Sequence, residues 1–369
     1  MPTIVLCVTN DTLTDIRVIK IAGTLQAKGF EVLITGRQSE SRLRPEKGIP
    51  VKRFSLWFNA GPLFYAAINW RTFFFLLFKK KLDIIWSNDL DTLPACAAAA
   101  FLRRKPLVYD SHELFTEVPE LQNRPFVRKI WELAERLFIR RADAMITVCD
   151  SIADYYHYKY GIQPEVIRNL PLELKKAKES FRDKLNLPAD KKIVIYQGAV
   201  NLGRGIEDLL AAAHYLPEVY IVIAGTGDLL ESLKQKFGKT KYSDRIRFTG
   251  RLAYDQLSEY TRSADLGVSL ERNMGLNYYY ALPNKLFDYI QARIPVLVSA
   301  LPEMEKIVRQ YRAGEILRSH DPEALAASLK KLLDKPADYF SEALEKAAGE
   351  LNWQNEQDKI DRVLMKLKE

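Results

Sequence analysis

In the stretch YALPNKLFDYIQARIPVLVS, residues 280–299, Asn284 and Lys285 stand at the start of an amphipathic helix and Asp288 follows one turn later. A helix start offers unpaired N–H groups and a partial positive charge, and Lys285 adds a full one, so a diphosphate can be held there. Asp288, three residues on, lies on the same face and can accept hydrogen bonds from a pair of sugar hydroxyls. Together they suit a sugar nucleotide. The same residues also read as an exposed i, i+3 ion pair contributing roughly a few tenths of a kcal/mol, and the spacing alone leaves both readings open.

Three other loops after apolar strand patterns carry residues of the same kind. YQGAVNLGRGIEDLL places Gly198, Gly203 and Gly205 ahead of a helix, where glycine lets backbone approach a ligand, with Arg204 where a phosphate would sit. IVIAGTGDLLESL holds Gly225, Thr226 and Gly227 in a strand-to-helix turn, which serves close packing as well as it serves a nucleotide. RFTGRLAYDQLSEY sets Gly250, Arg251 and Leu252 at the edge of a base-binding slot. In the first half, His112 follows PLVYD at the carboxyl end of a strand. A neutral imidazole or a backbone carbonyl there can steady positive charge at a reacting carbon. Asp110 and Glu113 offer either a glycosidase-like carboxylate pair or solvated caps. Asp89 and Asp91 form an Asp-x-Asp, read as helix capping or acceptor-side polarity rather than a metal site. His157 and His214 read as structural, and Trp131, Leu133, Leu137 and Phe138 as a core or membrane-facing set.

These loops need a scaffold that gathers strand ends. Strand, helix and strand alternate twice over. TIVLCVT, FEVLITG, VKRFSL, LDIIWS, PLVYD and AMITVC make the first series, with helices over 15–28 and 124–141. After a polar, lysine-rich stretch at 174–184, KIVIYQG, VYIVIAG, RIRFTG, LGVSL and PVLVS make the second. Asp321 and Pro322 open an entirely helical end. The expected fold is α/β: two Rossmann-like, doubly wound domains facing across a cleft. The expected divisions are 1–168 on the acceptor side, 169–350 for the donor, and 351–369 as a helix crossing back.

The 369 residues hold 55 Lys and Arg against 47 Asp and Glu, a net charge of +8. The excess lies in short clusters such as Lys79-Lys80-Lys81 and Arg140-Arg141, without a zinc-finger or RNA-binding motif, so nucleic acid is not expected. Aromatics crowd beside the lysines in WRTFFFLLFKKK, which fits an anionic membrane surface or a core helix with a solvated basic end. Cys7, Cys96 and Cys149 form no CxxC and read as buried thiols of a reducing compartment. The opening MPTIVLCV enters a strand without a basic leader, so a cytoplasmic place is expected, peripheral at the inner membrane face.

Taken in order, Gly198…Arg204-Gly205, AGTG, FTGRL and LPNKLFDYI…PVLVS resemble the C-terminal domain of a family 4 glycosyltransferase with the GT-B fold. YDSHELFTE and RRADAMITVCDSIADYY resemble its N-terminal half. The resemblance implies a retaining enzyme that needs neither metal nor cofactor. It would move a sugar from a nucleotide diphosphate sugar to a glycan or lipid-linked acceptor, as in cell-surface polysaccharide synthesis. It assigns Arg204 and the turn Asn284, Lys285, Leu286 to the diphosphate, and Asp288 to the ribose. Gly198, Gly225, Thr226, Gly227, Arg251 and Leu252 would line the donor, with His112 near its reacting carbon. Three departures stand out: Ala199 replaces the usual arginine, Asn10 to Leu13 replace a glycine pair, and Tyr280 replaces the first acid of a Glu-x7-Glu pattern, at the donor sugar. Lys285 is expected to supply the charge that Ala199 lacks. A nucleotide-sugar epimerase or a non-catalytic nucleotide-sugar binder would share the architecture. A dinucleotide oxidoreductase would need GxGxxG after the first strand, and VTNDTLTD lacks it.

Overall fold

The computed structural model describes residues 1–12, 15–38, 48–174 and 181–367. Leu13, and residues 175–180 of the lysine-rich stretch, lie outside the described residues. By contact the chain divides into two compact units, Met1–Asn169 with Gln357–Glu369, and Leu170–Glu356.

In the first unit β1 (Thr3–Asp11), β2 (Glu31–Arg37), β3 (Val51–Phe54), β4 (Ile84–Asn88), β5 (Leu107–Ser111), β6 (Ala144–Thr147) and β7 (Glu165–Val166) form one sheet. Its order is β3-β2-β1-β4-β5-β6-β7, and every pairing is parallel. Ile4 to Val8 of β1 are all buried, because a central parallel strand is covered on both faces. The Asp15 carboxylate accepts the Val18 N–H and starts the helix Ile16–Ala27. The chain then turns at Gly29, where φ is +88°, a left-handed conformation that glycine adopts without strain. The helix expected over 124–141 is Pro125–Phe138 followed by a 3₁₀ turn, Ile139–Arg141. In the helix Gly61–Phe78 one side is core, with Phe64, Ile68 and Leu76 buried, while Trp70 and Phe78 are exposed. Near the end of the chain, the helix Lys359–Lys366 packs on β6 and β7, and Lys359 Nζ donates to the Val166 carbonyl at 3.0 Å.

The second unit has β8 (Lys192–Gln197), β9 (Val219–Ala224), β10 (Ile246–Gly250), β11 (Leu266–Ser269), β12 (Val296–Ser299) and β13 (Gly314–Leu317). They lie parallel in the order β10-β9-β8-β11-β12-β13. Alternate residues serve opposite faces: Ile193, Ile195, Val296 and Val298 enter one core, while Val194, Tyr196 and Leu297 enter the other. The short edge strands β7 and β13 were not anticipated, since neither has an apolar run; backbone pairing to a neighbour makes them strands. At Gly314 a Cβ would fall 1.9 Å from the Val296 carbonyl oxygen, so this close approach admits glycine.

Each sheet reverses its winding where the first strand of its series meets a later one, at β1/β4 and at β8/β11. Crevices at the carboxyl ends of such strands are where doubly wound sheets bind ligands. Cys7, Cys96 and Cys149 are buried free thiols. Among the described residues no helix is long and apolar enough to cross a membrane.

Candidate functional site

At the β8/β11 reversal the second unit gathers two cations around one buried carboxylate. Glu271, two residues beyond β11, is fully buried and meets Lys285 Nζ at 2.7 Å and Arg204 Nη1 at 3.5 Å. The Ser269 hydroxyl adds a hydrogen bond at 2.7 Å. Burial alone would raise the Glu271 carboxyl, but Lys285 and Arg204 outweigh it and hold it below the usual carboxylate range. Lys285 also lies over the Tyr196 ring, 4.0 Å from its centroid, and Arg204 over the Tyr278 ring at 4.7 Å. The exposed Lys285–Asp288 pair, one of the two open readings, is not what forms: Lys285 is buried and takes Glu271 instead.

Asp288 is held separately. The helix Asn284–Gln291 packs against β11, so its first turns stand over the end of β8. Gln197, the last residue of β8, donates from Nε2 to Asp288 at 2.8 Å, and the Thr261 hydroxyl donates to the Gln197 side-chain oxygen Oε1 at 2.7 Å. This chain fixes Asp288 on the wall of a small recess shared with Gln197, Tyr254, Leu257 and Thr261. Tyr254 faces that carboxylate: burial first, then the Asp288 charge, pushes its phenol up.

The glycine loops are built for contact with each other. A Cβ at Gly225 would meet the Gly198 carbonyl oxygen at 1.8 Å, and one at Gly227 the Val200 carbonyl oxygen at 2.5 Å. The Val200 N–H donates to the Thr226 carbonyl at 3.0 Å, which ties the loop after β8 to the loop after β9. Packing therefore explains these glycines directly, as one of the two sequence readings allowed.

Several residues stand elsewhere than expected. The Leu286 amide donates to the Pro283 carbonyl at 3.1 Å, an i to i+3 bond that closes the first turn, and its side chain is wholly buried. Asn284 is exposed at the helix start. Arg251 is exposed, with no hydrogen bond or ion pair to the Glu271 cluster, and Leu252 packs on the core. The Tyr280 ring neighbours Tyr279 at 5.3 Å; it is Tyr278 that lies against Arg204. Glu271, Gln197, Thr261 and Tyr278 escaped the sequence reading. Glu271 was within reach of it, since it directly follows the strand LGVSL at a carboxyl end.

In the first unit His112 lies between two carboxylates. Its Nδ1 is 3.2 Å from Asp89 and its Nε2 3.4 Å from Asp110, while its backbone N–H donates to Asp89 at 2.9 Å. Asp110 is fully buried and takes the Arg17 guanidinium through Nη2 at 2.8 Å and Nε at 3.0 Å. Burial opposes charge on the ring, but Asp89 and Asp110 together outweigh it and raise the His112 pKa well above its ordinary value. Two carboxylates on the ring thus favour its protonated form over the neutral one expected from sequence. Burial would raise Asp110 too, yet Arg17 and His112 hold it at about 2, so it is locked as a counter-ion and not free to pair with Glu113 in glycosidase chemistry. The two acids of the Asp-x-Asp diverge: Asp89 turns to His112, while Asp91 accepts from the Thr9 hydroxyl and is pushed up to about 8 by burial and by Asp89. His157 and His214 are exposed on or beside helices, and no hydrogen bond or ion pair brings either into these clusters.

Comparison with known proteins accounts for both units. Residues 15–171 match the Glycosyltransferase Family 4 model and residues 177–350 the Glycosyl transferases group 1 model. An uncharacterized glycosyltransferase of Methanocaldococcus jannaschii is 21% identical, over 72% of this chain and 69% of that protein. Against the next curated relatives the match spans only about half of their length. Among solved structures, sucrose-phosphate synthase from Thermosynechococcus elongatus superposes with a TM-score of 0.77 at 20% identity, over 100% of this chain and 99% of that one. Anabaena HepE in complex with UDP-glucose superposes at 0.75 with 17% identity, over 99% and 100%. These likenesses carry the fold, and the two family models carry the assignment. The chain belongs to the family 4 glycosyltransferases of the GT-B fold.

Proposed function

We propose that the protein transfers a sugar, with retention of configuration and without a required metal, from a nucleotide diphosphate sugar to a glycan or lipid-linked acceptor. The observation that carries this reading is the pair Lys285 and Arg204 gathered on Glu271 beside the fixed carboxylate of Asp288. Two cations gathered at a strand-end crevice suit a diphosphate, and Asp288 then faces ribose hydroxyls. HepE, of the same fold, is known in complex with UDP-glucose, which supports a donor of that class.

As the bond between the sugar and the diphosphate breaks, negative charge grows on the leaving group, and Lys285 and Arg204 stabilise it there. The departing diphosphate can then take the acceptor's proton. With a carboxylate at each ring nitrogen, His112 is placed to donate a hydrogen bond rather than to act as the base. Its Nε2 meets Asp110 only at 3.4 Å, and Asp110 is already satisfied by Arg17, so this N–H can be exchanged for an oxygen of the donor sugar. Asp89 and Asp91 face different partners, so their placement supports positioning of His112 rather than joint metal ligation.

A thermal-shift panel of nucleoside diphosphate sugars tests the donor, because a ligand that binds only the folded state raises its melting temperature. One donor should stand out, and its turnover should persist in EDTA. NMR of the product should show the donor's anomeric configuration. Donor binding without hydrolysis or transfer would make the protein a binder, and sugar inversion without transfer an epimerase.

A further inference from the structure

The helix Pro125–Phe138 of the first unit turns an apolar stripe to solvent. Phe126, Ile130, Leu133 and Leu137 recur at helical spacing on one face and are 76%, 52%, 56% and 57% exposed. Its other side packs on the protein, where the Trp131 ring lies 5.1 Å from Tyr65 and 4.9 Å from Phe115. Lys129 and Arg136, seven residues apart and both exposed, border the stripe. An exposed apolar face rimmed by cations marks an interaction surface.

The stripe leads into a basic hollow. The 3₁₀ turn that continues the helix brings Arg140 and Arg141 together with Arg104, Lys105 and Lys366 around an open recess of about 860 Å³, roomy enough for a phosphate headgroup. Asp143, the one acid of that lining, already accepts the Leu107 N–H at 2.7 Å. Lys105 pairs with Asp83 at 3.3 Å, while among the described residues no carboxylate pairs with the other four cations. Arg141 rests instead on the Phe101 ring, 5.2 Å from its centroid, and Phe101 and Leu102 at the rim are 66% and 59% exposed.

Uncompensated cations and exposed apolar side chains on one face match an anionic bilayer, whose headgroup phosphates meet the cations while the stripe enters the acyl boundary. A free phosphate would use the hollow and leave the stripe in water. A second copy would cover the stripe but set like charges against each other in a two-fold contact. We infer that this face docks the protein on an anionic lipid surface, with the hollow taking lipid phosphates. This deepens the lipid-linked-acceptor reading, and since docking is measured without turnover, either can fail alone.

The test is co-sedimentation of the full chain with phosphatidylcholine vesicles, with and without phosphatidylglycerol, at low and high salt. The protein should pellet with the anionic vesicles and be released as salt rises. Arg140→Glu combined with Arg141→Glu should weaken pelleting by roughly twentyfold or more. Ile130→Asp combined with Leu133→Asp keeps the cations but should also lose the vesicles. All four side chains are at the surface, so melting temperature and donor response should stay as in the unaltered protein. Equal binding to both vesicle compositions, or variants that pellet undiminished, would overturn the inference. So would a solution dimer that the stripe variant dissolves, or calorimetric binding of inorganic phosphate in the hollow by protein that ignores vesicles.

Discussion

The buried charge clusters of the two units are built on opposite balances. Around Glu271 two cations meet one carboxylate, so within that cluster cations outnumber carboxylates. Around His112 two carboxylates meet one imidazole and one guanidinium, so a proton on the ring makes the charges come out even. A surplus at a strand-end crevice calls for an anion from outside. An even cluster calls for none; it fixes a proton on His112 and aims the ring. The difference separates binding a leaving group from positioning a donor of hydrogen bonds, and it can be broken from either side.

The largest effect is expected from Lys285→Ala, which leaves Glu271 buried with only the more distant Arg204. Stripping one partner from a buried pair costs about 3–5 kcal/mol, read as a lower urea midpoint, and the thermal response to donor should vanish. Adding Glu271→Gln to that variant should restore much of the stability without restoring donor binding. A Lys285→Ala protein with an undiminished donor response would remove Lys285 from the diphosphate site.

In the even cluster, His112→Ala should lower turnover about 10²- to 10³-fold while donor still binds. Unchanged turnover would reduce the cluster to architecture.

A subtler contrast lies in pH. Asp91 is an acid with a raised pKa, so its contribution to stability is full below about 3.9 and is lost as pH rises through about 8. His112 is raised as well, so its contribution is full below about 6.5 and is lost as pH climbs through its higher folded value. Asp110 runs the other way: its contribution is present above about 3.9 and is lost as pH falls through about 2. Urea midpoints of the first unit should therefore decline on both sides, and Asp91→Asn should flatten the decline between about pH 4 and 8. A slope unchanged by Asp91→Asn would place the titration elsewhere.

The smallest effect belongs to Tyr278→Leu. Loss of a cation–π contact of about 0.5–1 kcal/mol should weaken donor affinity only about two- to fivefold, measurable by titration calorimetry. A far larger loss would give the ring a direct contact with donor.

Much of this was legible in the residues. Apolar runs of strand length alternating with amphipathic segments called for two parallel sheets, and β1 and β8 lie where TIVLCVT and KIVIYQG put them. Arg204, Lys285 and Asp288 could be named because strand-end loops and a helix start are local patterns. Local pattern also has a limit, and Lys285 shows it. Its three-residue spacing from Asp288 is local, but its partner, Glu271, follows an earlier strand and is found only when the helix packs on β11. The edge strands β7 and β13 escaped for the same reason, being strands through their neighbours' backbones.

The sequence by itself determined which residues are available and how they repeat: two series of strands, cations at loop ends, a histidine after PLVYD. Tertiary structure alone decided their charge. His112 is drawn toward its protonated form because Asp89 and Asp110, on neighbouring strand ends, converge on it, and Lys285 is buried because Glu271 stands at the end of the strand its helix packs on. A protonation state depends on distances and on burial, both of which are set by which strands become neighbours. Residue order along the chain does not contain them until the sheet has formed.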